Sequence, residues 1–450
     1  MGIRDILILG MLVASVPICF VRPFYGVLVW SVISFLNPHR FAWAAQNFPV
    51  AMAIGIPTIA GFLLFSPNIK TLRSREVWLI AALGVWFTVT SVAAANNPVF
   101  VHHIADTWEK WRTVSKILLM TFVSIAIVNR FSRLRTLMLV IAGSFAILIL
   151  KTLPFMVLTG GQFRVYGPPG SMIADNNDFG LALNMMLPVF FFLTLSEERP
   201  WVRRFFGFLF IATIPAIFCT YSRGALVGLI SVGVLLFMRL GLRHRVILIP
   251  VAGLAILLVA LAAPEAWKQR MDPTREGALD KSAQERLDSW EYSRRLAYDY
   301  PITGGGFATF TSELYPRYAP IGAAVLGPHS VYFGLLAEHG FVGLGLYLAL
   351  VTSCFSRARG LIKQARLLGD AQVMHYADMF RFSLVGFLTS GIFLGRAYFD
   401  LFFAIAGCFA ILKYVAHQRW TEEWVEEDSE IEEAVGERST AAFTTLAEES

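Results

Sequence analysis

The chain has 450 residues, 56% hydrophobic and only 16% charged, with a mean hydropathy of +0.60. A soluble domain carries about 25% charged residues, so an ordinary soluble enzyme is excluded, and so apolar a chain is not a nucleic-acid binder despite its net charge of +6. That figure hides an asymmetry: residues 421–450 hold eleven acids and one Arg, which leaves an excess of about +16 on the rest.

Apolar runs fall near 5–36, 49–65, 77–93, 115–128, 134–158, 179–195, 205–221, 223–240, 245–262, 329–355, 379–395 and 398–415. Runs of this length are membrane spans, and spans in lipid must be helical because the backbone has no water to bond. The short alternating segments of a barrel are absent. The expected fold is therefore all-α and polytopic, with about twelve transmembrane helices. Run 5–36 is interrupted at Arg22-Pro23 and is counted as one broken crossing, with both termini inside; two crossings would put the N-terminus outside. No small-residue cleavage site follows it, so it reads as a retained span.

The joints sort by charge. Lys70, Arg73 and Arg75 mark one; Arg130, Arg133 and Arg135, then Arg199, Arg203 and Arg204, then Arg239, Arg243 and Arg245, then Arg357, Arg359, Lys363 and Arg366 mark others. Positive-inside logic assigns these to the cytoplasm and the alternate joints to the far side, the periplasm in a bacterium. The chain then divides into an N-terminal bundle over 1–262, a periplasmic loop over 263–328, C-terminal membrane helices over 329–418, and an acidic cytoplasmic tail over 419–450 too polar to pack. Cys19, Cys219, Cys354 and Cys408 lie in or beside apolar runs, with the spacing of neither a metal site nor a disulfide framework.

In the far-side segments, taken in order, His102, His103, Asp106 and Glu109 lack further ligands at fixed spacing and read as a solvated stretch. Asp175-Asn176-Asn177-Asp178 precedes a span, and is either a helix cap or a substrate contact. Arg223 sits in the tight joint Tyr221-Ser222-Arg223-Gly224, at the depth of a lipid-linked phosphate. Arg164, Arg286 and Arg396 fall on the same side, where topology does not ask for them, and a guanidinium suits phosphate oxygens. Arg396 has a local alternative in Asp400 at i+4. In the long loop, Ser282-Ala283-Gln284-Glu285 matches a capping box, so a helix should run from there to about Tyr298. Leu287, Trp290, Arg294 and Ala297 share one of its faces and Arg286, Trp290 and Ser293 the next. Pro301 and Gly304-Gly305-Gly306 follow. His329 ends the loop and is a candidate general base, since imidazole titrates near neutrality and nearby arginines favour its neutral form. Glu338 and His339 lie about 13–15 Å deeper and read as structural pairing. There is no Walker, GxGxxG, GxSxG or HExxH motif.

Ser222-Arg223-Gly224-Ala225, the loop pattern Arg286, Trp290, Pro301 and Gly304-Gly305-Gly306-Phe307, the element His329-Ser330-Val331-Tyr332 with Glu338-His339-Gly340, and the Asn-bearing start at Asp175–Gly180 together resemble the bacterial O-antigen ligase and polymerase superfamily over roughly 75–420. The N-terminal stretch with Phe41-Ala42-Trp43 is similar to the exosortase-associated O-glycosylation ligase branch. Many relatives carry His-Asn where this chain has His329-Ser330, so no role of that Asn transfers. The resemblance implies a glycosyltransferase-C-like fold in the inner membrane and an O-antigen ligase of lipopolysaccharide biosynthesis. Its reaction would be a metal-independent, inverting transfer, with no cofactor, of a glycan from undecaprenyl diphosphate to the lipid A–core oligosaccharide. His329 would be catalytic, Arg223, Arg164 and Arg286 would hold the diphosphate, and Asn176, Asn177, Trp290, Arg396 and Tyr332 are candidate substrate contacts. A polymerase or a protein O-glycosylation ligase of the same superfamily, a lipid-linked glycan transporter, and a non-enzymatic assembly protein are the competing readings.

Overall fold

The computed structural model describes residues 3–41, 48–65, 69–239, 264–271 and 278–421. Their principal elements are the helices Ile3–Val21 (α1), Pro23–Phe35 (α2), Val50–Phe65 (α3), Arg75–Ala95 (α4), Ile104–Ile127 (α5), Phe131–Leu158 (α6), Asn176–Ser196 (α7), Pro200–Phe218 (α8), Arg223–Arg239 (α9), Glu265–Met271 (α10), Ala278–Asp299 (α11), Tyr315–Tyr318 (α12), Val331–Leu367 (α13), Ala371–Ser390 (α14) and Asp400–Thr421 (α15). No strand occurs among the described residues. Among the described residues six helices, α4, α6, α7, α8, α13 and α15, are long and apolar enough to cross a bilayer, and shorter apolar helices cover 8–21, 23–35 and 50–65. The protein is thus an all-helical polytopic membrane protein. The expected span over 245–262 and the acidic tail from 422 lie outside the described residues.

Run 5–36 corrects the sequence reading, because it folds back on itself. Leu12 of α1 and Ile33 of α2 share one apolar cluster with Val50 and Ile54 of α3. Towards the other end of α3, Gly26 lies against Thr58 and Gly61 against the Phe20 carbonyl. Both helices therefore run alongside α3 in opposite directions, reversing at Arg22, whose φ of −129° and ψ of 77° leave the helical region. The proline at 23 favours this, since it forces an extended residue before it and is at home in a first helical turn. The run makes two passes rather than one.

Ion pairs tie the basic joints to one another. Arg357 reaches Glu76 at 3.2 Å, beside Arg75 at the start of α4. Arg135 donates to Glu197 at 2.8 Å, and Arg239 meets Asp378 at 2.6 Å. At the opposite end, the Tyr221 hydroxyl donates to the Gly161 carbonyl at 2.8 Å, and Arg396 pairs with Asp178 at 2.5 Å. The alternation read from charge is therefore one of two real ends of the bundle, a basic end and a loop end. Between them α7 is the most enclosed span, 78% buried over its apolar window, packed by α8, α9 and α14.

The loop does not merely cover the bundle; it is threaded into α13. At Gly340 φ is 66° and ψ −170°, so α13 is two helices, Val331 to His339 and Phe341 to Leu367. The break frees backbone groups, which must find partners in a buried place. The glycine-rich turn supplies them: Gly305 N donates to Ala337 O at 2.9 Å, Gly306 N to Glu338 O at 3.0 Å, and Phe341 N to Pro301 O at 2.8 Å. Glycine is required on both sides, since a Cβ on Gly304 would lie 2.5 Å from the Ala337 oxygen and one on Gly340 2.3 Å from the Ile302 oxygen. The side chains close the latch. Glu338 accepts from Lys110 at 2.6 Å, from the Tyr398 hydroxyl at 2.5 Å and from the Ala308 amide at 3.0 Å. His339 Nδ1 lies 2.7 Å from the Thr90 hydroxyl, and Trp86 Nε1 donates to its carbonyl at 3.0 Å. The structural pairing expected of Glu338 and His339 is what forms. His103 also differs from the solvated reading: it is buried, with Nε2 3.1 Å from the Gly305 carbonyl. His102, Asp106 and Glu109 are exposed.

The loop helix α11 is already present at Ala278, so Ser282 lies inside it rather than capping its start. Its buried stripe is Ser289, Tyr292, Ser293 and Leu296. Leu287 and Arg294 point outward, whereas Tyr292 and Leu296 pack with Leu314, Tyr315 and Tyr318 around α12. The tyrosines outweigh the single leucine as apolar payload.

Candidate active site

Chain segments far apart in sequence meet at the loop end. The first is the joint between α8 and α9. Tyr221 takes a φ of 57°, unusual for a side chain of its size. The joint is pinned from outside: Asn176 donates its amide to Thr220 O at 2.7 Å, and Val165 N bonds Cys219 O at 2.9 Å. Ser222 caps α9, its hydroxyl accepting from Ala225 N at 3.2 Å, which fixes Arg223 in the first turn. The small residues of the motif allow close approach. A Cβ on Gly180 would lie 2.6 Å from that of Ala225, and one on Gly228 would strike Ser390 Oγ at 2.1 Å.

The second segment is α11. Its Ser289 hydroxyl donates to Gly327 O at 2.8 Å, and Trp290 stacks on Phe333 at 5.0 Å and on Phe393 at 6.5 Å. Arg286 stands one turn before Trp290 and is thereby carried over the start of α13. Phe393, the second ring against Trp290, also lies against Gly224, where a Cβ would stand 3.2 Å from it, so α11 and the start of α9 share this neighbour.

The third segment ends in His329, whose φ is 45°. Pro328 and Gly395 explain how this is held: a Cβ on Gly395 would come within 3.1 Å of Pro328 Cγ and 3.4 Å of His329 N, and Val331 N donates to Gly391 O at 2.8 Å. A non-glycine residue in this region stores strain and persists only where its surroundings impose it. Burial first, and then the Arg286 charge, hold the imidazole below the usual histidine range, against the opposing pull of Glu285 and Asp175. The neutral ring is the favoured form at neutral pH.

The other candidates take different places. Arg164 is exposed and lines a separate cavity of about 310 Å³ with Lys151, Phe41, Tyr166 and Phe179; Arg223, Arg286 and His329 do not line it. Arg396 does not pair with Asp400 as its i+4 spacing had offered; it binds Asp178, and Asp400 instead accepts from the Leu401 amide at 2.9 Å. Asp175 caps α7 by accepting from Asn177 N at 2.8 Å, and Asn177 also donates its side-chain amide to Asp175 at 2.9 Å. Asn176 is buried against Thr220. Tyr332 donates to Leu388 O at 3.0 Å. Trp290 has both faces near aromatic rings, and its buried Nε1 has no hydrogen-bond partner among the described residues. Sequence reasoning missed Glu285 as a neighbour of His329, Lys151 as the cation facing Arg164, and Lys110 and Tyr398 as the partners of Glu338. Only Glu285, adjacent to Arg286, carried a local signal.

Taken together, the loop end holds two arginines and a neutral histidine beside a membrane-spanning bundle, with carboxylates at its margin. That set can neutralise an anionic leaving group and accept a proton. Two stretches of the chain match known families. Residues 208–348, which include Arg223, Arg286 and His329, match the family model described as O-antigen ligase. Residues 3–190 match a family of unknown function (DUF5935), and this stretch holds Arg164, Asn176 and Asn177. No curated protein matches the chain. Residues 208–348 are accordingly similar to the O-antigen ligase family, in a chain whose helices are those of a multi-pass membrane protein.

Proposed function

We propose that the protein is a ligase that transfers a glycan from undecaprenyl diphosphate to a hydroxyl of the lipid A–core oligosaccharide, at the periplasmic face of the bacterial inner membrane. One observation carries the reading: Trp290 of α11 stacks on Phe333 and Phe393, and Phe393 also lies against Gly224, so the elements that bear Arg286, His329 and Arg223 are packed together at the loop end, where a diphosphate and a base would meet. In the transfer, the acceptor oxygen attacks the anomeric carbon as the bond to the diphosphate oxygen breaks. Undecaprenyl diphosphate leaves with the bonding pair, and the acceptor proton passes to His329 Nδ1 or Nε2. Arg223 and Arg286 stabilise the charge that develops on the leaving group, which is the role of preorganised donors in any such step. Attack from the face opposite the leaving group inverts the anomeric centre. Arg164, on its own cavity, meets a different part of a substrate from the one under Arg223.

The test is transfer by purified protein from a lipid-diphosphate glycan to lipid A–core. Arg223→Ala and His329→Ala abolish product at normal protein levels, and chelator leaves the wild type active. Product formation in both variants refutes the site. A deletion strain that keeps glycan of normal length without attachment to lipid A–core marks a ligase, whereas one that loses long chains marks a polymerase and refutes this assignment.

A further inference from the structure

A second cavity lies at the opposite end of the bundle from the candidate active site. It has a volume of about 730 Å³ and is lined by Arg22, Asn129, Arg130 and Arg133, with Phe24 and Tyr25 among its apolar walls. It forms where the turn between α1 and α2 meets the joint between α5 and α6, so it stands at the level where helices leave the membrane. Both the hairpin and the cavity follow from the reversal at Arg22; a single broken span would have carried Arg22 past this joint.

Charge in the cavity has one sign. None of its arginines enters an ion pair among the described residues, and no carboxylate lines it. This sets its arginines apart from Arg135, further along α6, and from Arg239 and Arg357 on other basic joints, each of which meets an acid. Arg133 is also pre-set. It donates to Ile127 O at 2.9 Å and to Asn129 Oδ1 at 3.1 Å, and lies 5.2 Å from the centre of the Phe24 ring. Its fork is held while the guanidinia of Arg22 and Arg130 remain exposed at the rim. Helices α2 and α6 both begin here, without an acid in the first turn or a side-chain cap, which adds a positive potential of the same sign.

Three guanidinia converging on a wall of Phe, Tyr, Val and Ile at a membrane surface fit a phosphate that carries acyl chains. The arginines match its oxygens bidentately, and the apolar wall takes the start of the chains. We propose that this cavity is a phosphate-binding site for the headgroup of an anionic phospholipid, which wedges between the α1–α2 hairpin and the rest of the bundle. The inference does not depend on the transfer reaction.

The test uses the full chain in neutral phosphatidylcholine nanodiscs, titrated with phosphatidylglycerol and read by native mass spectrometry and by melting temperature. Phosphatidylglycerol binds and raises the melting temperature. Arg22→Gln with Arg130→Gln weakens binding about 25-fold, at about fivefold for each surface arginine removed. It also removes the shift in melting temperature, while melting in neutral lipid alone reports whether the variant is folded. Arg199→Gln with Arg203→Gln, the same charge loss on a joint outside the cavity, leaves binding unchanged. Glycerol phosphate or inorganic phosphate at millimolar concentration neither competes nor stabilises. Equal binding by wild type and the Arg22/Arg130 pair overturns the site. Equal loss in the Arg199/Arg203 pair reduces it to general surface charge and overturns it too. Competition by free phosphate assigns the cavity to a soluble ligand and overturns the lipid.

Discussion

Replacing Gly340 with Ala tests the threading of the loop into the broken helix. At φ 66° and ψ −170° the residue occupies a region that is essentially glycine's own, and forcing a side chain there costs about 1–3 kcal/mol. The added Cβ would stand 2.3 Å from Ile302 O and 2.6 Å from Pro301 O, both backbone atoms that a rotamer change cannot move. Relief requires the loop to back away, which stretches the bonds from Gly305, Gly306 and Phe341. At about 1 kcal/mol for each bond lost, the total cost is about 2–6 kcal/mol, according to how many of them break. The matched control is Gly345→Ala, five residues on in the same helix, where a Cβ meets nothing within 4 Å. There alanine is the better helix former, and the change stabilises by up to about 1 kcal/mol. The assay is unfolding of the purified variants in detergent, followed by tryptophan fluorescence, with protease nicking of the 300–308 turn as a local readout. Gly340→Ala melts lower and is nicked faster, while Gly345→Ala does neither. Equal melting and equal nicking of the two variants would refute the threading.

Three other outcomes follow from the same geometry. The imidazole of His329 is held below the usual histidine range by burial and by Arg286, so it is neutral above about pH 6.5. Transfer activity then falls only as pH drops below that point, and Arg286→Gln moves this acid limb to higher pH in whatever activity remains; a limb that stays in place removes Arg286 from the neighbourhood of the base. The same depressed value means that the fold resists protonation at His329 and loses that part of its stability as pH falls through about 6.5. Lys110→Met leaves the Glu338 charge buried without its cation and costs about 3–5 kcal/mol. Glu338→Gln keeps the Tyr398 and Ala308 neighbours and costs about 1.5–3 kcal/mol, so denaturant unfolding must rank Lys110→Met as the more damaging, and the reverse order would dismantle the latch. Finally, the hairpin at Arg22 places the start of α1 at the loop end and the end of α15 at the basic end. An epitope fused ahead of Ile3 and one placed after Thr421 are then labelled from opposite sides of the membrane; labelling from one side restores the single broken crossing.

How much of this was legible in sequence depends on the range over which each signal acts. Charge bias along the joints is a local count, and it sorted the two ends of the bundle correctly. His329, Arg223 and Arg286 were singled out as candidates the same way, because each is a costly residue at a membrane surface on the side where topology does not ask for it. The first run failed for the opposite reason. Its interruption at Arg22-Pro23 was visible, but whether a chain bends or reverses there is decided by what α3 offers on either side, here the glycine and threonine positions that accept close contact. The buried stripe of α11 was hidden likewise, because Tyr292 found its ring partners Tyr315 and Phe310 only in the folded loop.

The latch at Glu338 explains why one long apolar run reads as a single span yet behaves as two elements. Hydropathy cannot see a break at one glycine, and the run from Val331 to Leu367 is continuous in composition. Its first nine residues are nevertheless held at both ends by the loop and its neighbours. Val331 is tied to Gly391 at one end, and Ala337 and Glu338 receive the amides of Gly305 and Gly306 at the other. A segment of that length spans about 14 Å, so the groups that position its inner end also set where its outer end, next to His329, can lie. A titratable residue on a free loop would sample many places, and the arginines opposite it would gain little from being fixed themselves. With the half-helix anchored at Glu338 and α11 anchored at Ser289 and Trp290, both sides of the Arg286–His329 approach rest on hydrogen-bonded frames. That rigidity makes the placement of the two elements a property of the fold and not of a passing loop conformation.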